Sequence, residues 1–590
     1  MATLFGGGPT LLPALASAWC PEYPDHPELD DEHVPPPSYD DAVLGTLSNY
    51  SPYSALLRQH SGTNLSRLHT PSSSTSLIPS SLSPTSVQNA LRELAVIASF
   101  GSHQVRTLAS GIHDIVTAGS ARPAWNYAMH LGLHIVRSNL AFQGATIPRL
   151  RFWSNAAGGS SLPAGVELKQ IKFTVDRDVL LGFENAGAEY RKGRKAGQYP
   201  TVSPEIADEW NKAKRRYELD GEWIQPTPPS QALIPCQAQS SSWLGSWFGQ
   251  TASASTQPTG ASSEPSRTQV IYYLHGGAYI AGSPQIYRNL TGRVSKGTNT
   301  KLFALRYRLA PEAPFPAALH DAFAGYLYLI NPHHPSFRHL DPTHAPVDPK
   351  DIVFMGDSAG GGLALSLLNY LNLYLRSPTG EHLVPLPGGA VLLSPWVDLT
   401  FTSHSWHSNG KFDWLPAVAR DIHSFVAPNV PHPVYMYFYG ESCTKTRSQL
   451  AALTNPHEKE MEPTVASSIV QDRVEQFVRH PLVSPIFAET MAGLPPILIQ
   501  AGDAEVLRDD SLALAFKYDA DNVGREGSTG WVRHELYQDM VHVFIAVGFL
   551  KESTTALTRI NRFLEELDAG RPLPPIGEVH GVLIDTHVGI

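Results

Sequence analysis

The sequence predicts an α/β fold, in which a mostly parallel central sheet is flanked by helices. From residue 269 onward, short apolar runs of strand length alternate with stretches of helical period, a pattern typical of strands joined by crossover helices. Hydrophobic residues make up 42% of the chain, enough for a large buried core, and charged residues only 17%. That charged share lies below the usual value of about 25%, which excludes a charge-rich disordered protein or a coiled coil.

The length of 590 residues corresponds to about four domains of ordinary size. The composition changes along the chain, however, and this favours one folded core with added low-complexity segments. Enrichment in Pro and Ser marks the segments that cannot bury enough apolar area to fold. The predicted regions are, in order, a disordered arm at 1–86, cap helices with the first strands at 87–225, a low-complexity insertion at 226–268, an α/β core at 269–568 with a cap insertion near 400–480, and a tail at 569–590. The surplus length is therefore assigned to loops and tails.

Charge and cysteine content limit the partners and the compartment. The 44 basic and 54 acidic residues give a net charge of −10, which argues against a nucleic-acid-binding protein. Cys20, Cys236 and Cys443 lie too far apart for a disulfide framework or a zinc site. No stretch approaches about 18 consecutive apolar residues, so no transmembrane helix is expected. We therefore expect a cytoplasmic protein, including the periphery of the endoplasmic reticulum or of lipid droplets, and the fairly apolar residues 11–19 leave secretion open.

Two short segments outside the predicted core have the character of binding segments. Pro36, Pro37 and Tyr39 form the PPxY pattern of WW-domain ligands, in which a preformed polyproline helix docks in an aromatic groove. The alternative is an ordinary proline-rich tail. Residues 243–248 (Trp-Leu-Gly-Ser-Trp-Phe) form a bulky apolar patch in a polar tract, which either makes peripheral contact with lipid or a partner or packs back onto the body of the protein.

A glycine-rich turn follows the first strand of the core. Residues 270–274 are β-branched and aromatic, which predicts a strand, and His275, Gly276, Gly277 and Ala278 come directly after it. Successive glycines let backbone N–H groups turn toward one point, and convergent N–H groups stabilise a developing oxyanion. The turn is therefore a candidate oxyanion hole.

Ser358 lies in a second glycine-rich turn, Gly-Asp-Ser-Ala-Gly at residues 356–360. An apolar strand precedes the turn at 352–355, and a helix with leucines along one face follows it. Strand, Gly-x-Ser-x-Gly and helix in this order predict a nucleophile elbow, which exposes the serine hydroxyl at the start of the helix. The alternative is a glycine-rich turn that holds a serine of no chemical role.

A serine nucleophile needs a base, and the base needs an orienting carboxylate. After a nucleophile elbow the expected order along the chain is serine, acid and histidine. An apolar strand at 496–500 leads into a segment with Asp503 and Glu505, and a later strand near 535–537 leads to His542. A carboxylate and a histidine, each just after a late strand, fit the acid and base positions.

Four motifs together resemble one known family. They are His-Gly-Gly at 275–277, Tyr-Arg-Leu-Ala-Pro-Glu at 307–312, Gly-Asp-Ser-Ala-Gly-Gly at 356–361 and Met-Val-His-Val-Phe at 540–544. The chain resembles the hormone-sensitive-lipase-type esterases and lipases of the α/β-hydrolase fold. Among these, the fungal steryl acetyl hydrolase-like members are the most similar in overall sequence character. The resemblance covers residues 269–568 well and 87–225 loosely, and four ordered motifs make it specific.

The resemblance implies a catalytic triad. It implies Ser358 as the nucleophile, His542 as the general base and Glu505 as the acid. In the family's acid motif a proline usually stands where this chain has Val506, and Asp503, two residues before Glu505, is the alternative acid.

The resemblance also implies which groups bind the oxyanion. The donors would be the backbone N–H groups of Gly276, Gly277 and Ala359. Ala278 stands where the family has a third glycine, which restricts the turn without removing an N–H. Asp539 is interpreted as a loop residue, and no metal or organic cofactor is expected.

Hydrolysis of a carboxylic ester through a seryl acyl-enzyme is the activity that the resemblance implies. A cap lined by Trp406, Trp414 and Phe425 favours an apolar or lipid-like ester, although cap aromatics also form the core of a cap. One alternative is a ligand-binding or scaffold protein, because the similar gibberellin receptor has lost its catalytic histidine. The other is an amide or carbamate hydrolase, since these motifs do not encode the leaving group.

Overall fold

A ten-stranded sheet runs through the part of the chain that the structure describes. The structure is a computed structural model, and it describes residues 84–140, 146–157, 161–176, 216–227, 268–334, 337–339, 344–377, 379–415, 425–427, 430–431, 433–440, 478–522, 531–570 and 582–583. The chain divides into two units, Met1–Ser102 and His103–Ile590. The sheet belongs to the second unit, and so does every contact described below.

Six neighbouring strands of the sheet are parallel, and antiparallel strands extend it at both edges. The strands are β1 Val166–Asp176, β2 Arg216–Pro226, β3 Val270–Leu274, β4 Lys301–Arg306, β5 Phe337–His339, β6 Ile352–Asp357, β7 Gly389–Leu393, β8 Phe425–Ala427, β9 Val430–Pro431, β10 Ile497–Gly502, β11 Val532–Tyr537 and β12 Val582–Leu583. Their order is β12-β11-β10-β7-β6-β3-β4-β2-β1-β5, with β8 and β9 in a separate pair. Pairing is parallel from β11 to β4 and antiparallel beyond. The predicted α/β fold is confirmed.

Helices cover both faces of the parallel strands. The helices of the described residues are α1 Pro84–Ala118, α2 Tyr127–Leu140, α3 Ile147–Ala157, α4 Pro284–Thr298, α5 Ala317–Ile330, α6 Ala359–Asn369, α7 Ser405–Ser408, α8 Pro433–Tyr439, α9 Arg508–Asn522 and α10 Lys551–Asp568. Single turns of 3₁₀ or π helix occur at Pro349–Asp351, Tyr370–Tyr374, Pro485–Phe487 and Phe544–Ala546. Helix α5 packs against α6 on one side of the sheet, and helix α4 packs against α10 on the other side.

Strand β6 shows why two helical layers are needed. All of its residues are buried. Phe354 packs in one apolar cluster with Leu363 of α6, whereas Val353 packs in a second cluster with Leu290 of α4 and Phe563 of α10. Because successive side chains of a strand point to opposite faces, an apolar run such as this one requires cover on both sides. The strand that leads to Ser358 is therefore held at the centre of the core.

The helical period predicted before the core corresponds to α1, α2 and α3, and β1 and β2 follow them. Trp125 precedes α2 and is buried with Met129 in the second apolar cluster. Leu133 packs against that cluster, whereas Val136 is 42% exposed. Contact between α2 and the core therefore involves its first half.

Several predicted segments lie outside the described residues. These are residues 1–83 of the arm, with the PPxY pattern, residues 228–267 of the insertion, with its apolar patch, and most of the tail at 569–590. Within the tail, Val582–Leu583 forms β12, which pairs with Leu536 and Tyr537 of β11. None of the described helices combines the length and apolar character that a membrane span requires.

Candidate active site

Ser358 occupies a strained turn between β6 and α6. Its backbone has φ 53° and ψ −125°, a region that L-residues other than glycine seldom adopt. Three hydrogen bonds hold it there: its N–H donates to Leu393 O at 2.9 Å, and its carbonyl accepts from Gly362 N and Trp396 N at 3.0 Å each. The neighbouring strand β7 and the start of α6 therefore fix the direction of the serine side chain.

Close backbone contact explains the glycines on either side of Ser358. A Cβ atom added at Gly356 would lie 2.3 Å from the carbonyl oxygen of Gly360. One added at Gly360 would lie 2.1 Å from the carbonyl oxygen of Leu274, in β3. Since real Cβ atoms do not approach backbone so closely, glycine is required at both positions for the helix to begin against the strand ends.

His542 reaches Ser358 from the turn that follows β11. Its Nε2 lies 2.9 Å from Ser358 Oγ, and the residue is 2% exposed. Burial alone would lower the pKa of His542, but the nearby carboxylates of Glu505, Asp413 and Asp357 outweigh it and raise this pKa above its usual value. The imidazole is thus placed to accept the serine proton and to carry positive charge afterwards.

Glu505 stands behind His542, in the turn after β10. Its Oε1 faces His542 Nδ1 at 4.0 Å, and among the described residues neither atom has a hydrogen-bond partner. Its Oε2 accepts from Ser394 Oγ at 2.7 Å and from Gly502 N at 3.0 Å, which fixes the carboxylate plane. The structure therefore brings the predicted Ser358, His542 and Glu505 together.

Asp503, the alternative acid, has a different set of contacts. Its Oδ1 accepts from the backbone N–H of Asp539 at 2.6 Å. The Asp539 carboxylate in turn accepts from Ala124 N at 3.1 Å and lies 3.4 Å from Arg122 Nη1. These contacts connect the turns after β10 and β11 to the segment before α2, so Asp503 and Asp539 act here as loop residues.

The backbone amides of the predicted oxyanion hole are not equivalent. Gly276 N donates to the buried carboxylate of Asp357 at 2.8 Å, beside the hydroxyl of Tyr273 at 2.6 Å, so this N–H is not free to bind an oxyanion. The N–H groups of Gly277 and Ala278 have no acceptor within the described part of the chain. Of the predicted donors in this turn, Gly277 therefore has a free N–H and Gly276 does not, and the N–H of Ala278, which was not predicted, is free as well.

The conformation of the turn agrees with these amide positions. Gly277 has φ 116°, and Ala278 and Tyr279 also have positive φ, at 54° and 62°. A Cβ atom at Gly277 would lie 2.2 Å from Ala281 O, whereas Ala278 adopts its angle with a methyl group. Ala359, the remaining predicted donor, is the first residue of α6 and is fully buried.

His275 and the residues of the 307–312 motif support this turn. Burial lowers the pKa of His275 to about 4, so it is neutral, and its ring stacks on Tyr307 at 4.2 Å. Tyr307 donates its hydroxyl to His275 O at 2.6 Å, and Arg308 pairs with the buried Asp321 at 2.7 Å. Glu312 pairs with Arg151 at 2.8 Å. These contacts hold the loop together.

The predicted cap aromatics differ in their contacts. Trp406 is 3% exposed and packs on Phe401, with ring centroids 4.5 Å apart, so it forms core. Trp414 lies 5.3 Å from the His542 ring and donates its Nε1–H to His542 O at 2.7 Å. The side chain of Phe425 is outside the described residues. Trp414 is therefore the predicted cap aromatic that contacts the site.

Sequence reasoning missed two buried residues of the site. Ser394, at the end of β7, donates to Glu505 and accepts from Val543 N at 3.0 Å. Asp413 accepts from the backbone N–H of His542 at 3.2 Å. Ser394 could have been found from its position after a buried strand, but no motif or periodicity singles out Asp413.

A half-buried serine beside a buried histidine and a buried carboxylate, at the carboxyl edge of a parallel sheet, is the arrangement typical of α/β serine hydrolases. The family model described as "alpha/beta hydrolase fold" matches residues 271–429 and 426–546. This part of the chain therefore matches the α/β-hydrolase family, as the sequence motifs predicted.

Individual proteins are similar to parts of the chain. An acetyl-hydrolase of Streptomyces hygroscopicus is 33% identical over 246 residues, 42% of this chain and 60% of that protein. An esterase of Acinetobacter venetianus is 29% identical over 306 residues, 52% of this chain and 77% of that protein. Neutral cholesterol ester hydrolase 1 of Bos taurus is 24% identical over 288 residues, 44% of this chain and 65% of that protein. A solved esterase of the bacterial hormone-sensitive lipase family is 23% identical, with a TM-score of 0.43, over 75% of this chain and 99% of that one.

Proposed function

We propose that this chain hydrolyses carboxylic esters through an acyl-enzyme on Ser358. The observation that carries the proposal is the 2.9 Å contact between His542 Nε2 and Ser358 Oγ, because a serine is a weak nucleophile until a base is within hydrogen-bond distance. The relatives named esterase and acetyl-hydrolase support the same reaction class.

The proposed reaction proceeds in two transfers. His542 takes the proton of Ser358 Oγ as that oxygen attacks the ester carbonyl, and Glu505 stabilises the imidazolium that forms. The imidazolium then gives its proton to the leaving alcohol oxygen, and the acyl-enzyme remains. Water attacks the acyl-enzyme with His542 again as base, which releases the carboxylic acid and restores the serine.

The tetrahedral oxyanion would be bound by backbone amides on two sides. Gly277 and Ala278 contribute N–H groups from the turn after β3, and Ala359 contributes one from the start of α6. Each such donor stabilises the transition state by about 3 kcal/mol. The positive end of α6 favours the same negative charge.

An apolar or lipid-like ester is the proposed substrate class. Trp414 supports this because its indole is half-buried beside His542, where it gives the site an apolar wall. A relative named for cholesterol esters supports a bulky alcohol, whereas relatives named acetyl-hydrolase support a short acyl group. An ester with a short acyl chain and a large apolar alcohol is consistent with both.

The proposal is tested with p-nitrophenyl esters of increasing acyl length and a fluorophosphonate probe. We expect turnover on part of the ester series, and a phosphonate adduct on the peptide that contains Ser358 after fluoride leaves. p-Nitroanilides and aryl carbamates report the amidase alternative. An intact protein without turnover on any of these substrates, and without an adduct at Ser358, would be a binding protein.

The pH dependence of kcat/KM follows from the environment of His542. The general base acts in its neutral form, and its neighbours raise its pKa above the usual 6.5. We therefore expect kcat/KM to fall as the pH decreases through this raised pKa, with the midpoint of the acid limb above pH 6.5. A pH–rate profile with a substrate that has no ionisable group measures it, and a midpoint below 6 contradicts the charge environment described here.

A WW domain is the proposed partner of the segment with Pro36, Pro37 and Tyr39. The proposal rests on the sequence pattern, because this segment lies outside the described residues. The full-length chain is expected to be retained on an immobilised WW domain of the PPxY-binding class, and Tyr39→Ala to abolish retention, since the tyrosine fills the aromatic groove. Tyr53→Ala is the matched control, and equal retention of both variants would exclude the motif.

Peripheral lipid contact and a cytoplasmic location remain proposals as well. The apolar patch at 243–248 would supply the lipid contact. The separated cysteines favour a reducing compartment.

A further inference from the structure

Residues 405–414 form a strap across the two turns that carry Glu505 and His542. Asn409 donates its side-chain N–H groups to the carbonyl oxygens of Asp503 at 2.8 Å and of Glu505 at 2.9 Å. An amide with both hydrogens bonded to one turn restricts the path of that turn. The strap therefore contacts the acid turn at the residue that faces the base.

Asp413 of the strap joins the acid turn to the base turn. Its Oδ2 accepts from Val506 N, the residue after Glu505, at 2.8 Å, and its Oδ1 accepts from His542 N at 3.2 Å. The side chain is fully buried. One carboxylate thus bonds the peptide N–H next to the acid and the peptide N–H of the base.

We propose that Asp413 is a positioning residue, which sets the separation of Glu505 from His542 and the orientation of the imidazole toward Ser358. The inference rests on the proposed ester hydrolysis and adds to it a residue outside the triad. A base displaced by a fraction of an ångström loses much of its rate advantage, so a brace common to both turns affects turnover directly.

The charge of Asp413 acts on the same base. The groups that face it are His542, Glu505 and, on the outside, Arg137. Burial raises the pKa of Asp413 to about 6, so at pH 7 to 8 it is an anion beside His542. An anion there stabilises the imidazolium and is one cause of the raised pKa of His542.

Arg137 of α2 holds the strap from its outer side. Its Nε donates to Asp413 O at 3.0 Å and its Nη2 to Lys411 O at 3.0 Å. Helix α2 thereby contacts the backbone of the strap. Trp414, the strap residue after Asp413, lies beside the imidazole of His542. This gives the helices before the core a role in holding the base.

Asp413→Asn tests the proposal in the full-length chain. The side-chain NH₂ of an asparagine cannot accept a hydrogen bond from a backbone N–H, so the bond from either Val506 N or His542 N is lost. We therefore expect kcat to fall about 10- to 100-fold while KM stays within about threefold. Loss of the negative charge should also move the acid limb of kcat/KM to lower pH, by about 0.5 to 1 unit. A residue needed only for folding would leave that limb in place.

Glu566→Gln is the matched control, because Glu566 is as buried and pairs with Arg533 at 2.8 Å in another part of the core. It should lower the melting temperature without moving the acid limb. Wild type and Ser358→Ala are assayed alongside: an inactive wild type refutes the proposed function, whereas an active wild type with an unchanged Asp413→Asn refutes the strap proposal. Equal kcat losses in Asp413→Asn and Glu566→Gln, with no shift of the limb, refute it too.

Trp414→Phe keeps the inference testable if Asp413→Asn does not fold. This variant keeps a ring beside His542 and removes only the hydrogen bond from Nε1 to His542 O. We expect kcat to fall about three- to tenfold with the acid limb unmoved, and an unchanged kcat overturns the role of the strap.

Discussion

Replacing Ser358 by alanine is expected to lower kcat/KM for p-nitrophenyl esters by about 10⁴- to 10⁶-fold. The oxygen that forms the acyl-enzyme is removed, and His542 has no hydroxyl within 2.9 Å to activate. The amides of the oxyanion hole remain, so a residual rate above that of water is expected. Steady-state kinetics with active-site titration measure the loss.

Ser366→Ala is the control for this substitution. Ser366 lies on α6, is 1% exposed and has no hydrogen-bond partner for its Oγ among the described residues. The same atom is deleted from a serine within the helix that follows Ser358, and kcat/KM should stay within about twofold. Ser358→Ala with more than about 1% of wild-type activity would mean that another group is the nucleophile.

Glu505→Gln is expected to lower kcat by about 10³- to 10⁴-fold. In the proposed mechanism, a carboxylate whose Oε1 faces Nδ1 at 4.0 Å favours the tautomer with the proton on Nδ1, which leaves Nε2 free to take the proton of Ser358. A glutamine can turn its NH₂ toward Nδ1, which favours the tautomer with the proton on Nε2, the wrong form for a base. A pH–rate profile alongside kcat separates this tautomer effect from unfolding.

Asp503→Asn is the matched comparison, since it removes a carboxylate only two residues away. Its acceptor role toward Asp539 N can be taken by the asparagine carbonyl, and we expect a loss of less than about tenfold. If Asp503→Asn abolished activity and Glu505→Gln did not, Asp503 would be the acid.

The candidate nucleophile Ser358 and the candidate base His542 could be identified because local sequence patterns mark both positions. A sharp turn from a strand into a helix around a serine requires glycines on both sides, as at Gly356 and Gly360. This pattern can be recognised in the sequence before the fold is known. The position of His542 after a late strand follows from the order of elements. The same reasoning found Glu505, although two carboxylates in one turn leave Asp503 as the alternative acid.

The donors of the oxyanion hole could not be predicted fully, for a tertiary reason. Asp357 appears in the sequence only as a variable residue of Gly-x-Ser-x-Gly, yet its carboxylate accepts a hydrogen bond from Gly276 N in the turn after the neighbouring strand β3. Which of two adjacent amides stays free depends on that contact. Asp413 was missed for a similar reason, since it lies 92 residues before Glu505 (505 − 413) in a segment without periodicity.

The left-handed backbone at Ser358 also bears on the thermodynamic stability of the whole molecule. A non-glycine residue in such a conformation costs about 1–3 kcal/mol, a large fraction of the roughly 5–15 kcal/mol by which a domain is stable. The hydrogen bonds from β7 and α6 to this residue offset part of that penalty. Selection for stability alone would favour glycine here, so a serine in this conformation marks a place where reactivity has been kept at the expense of folding free energy.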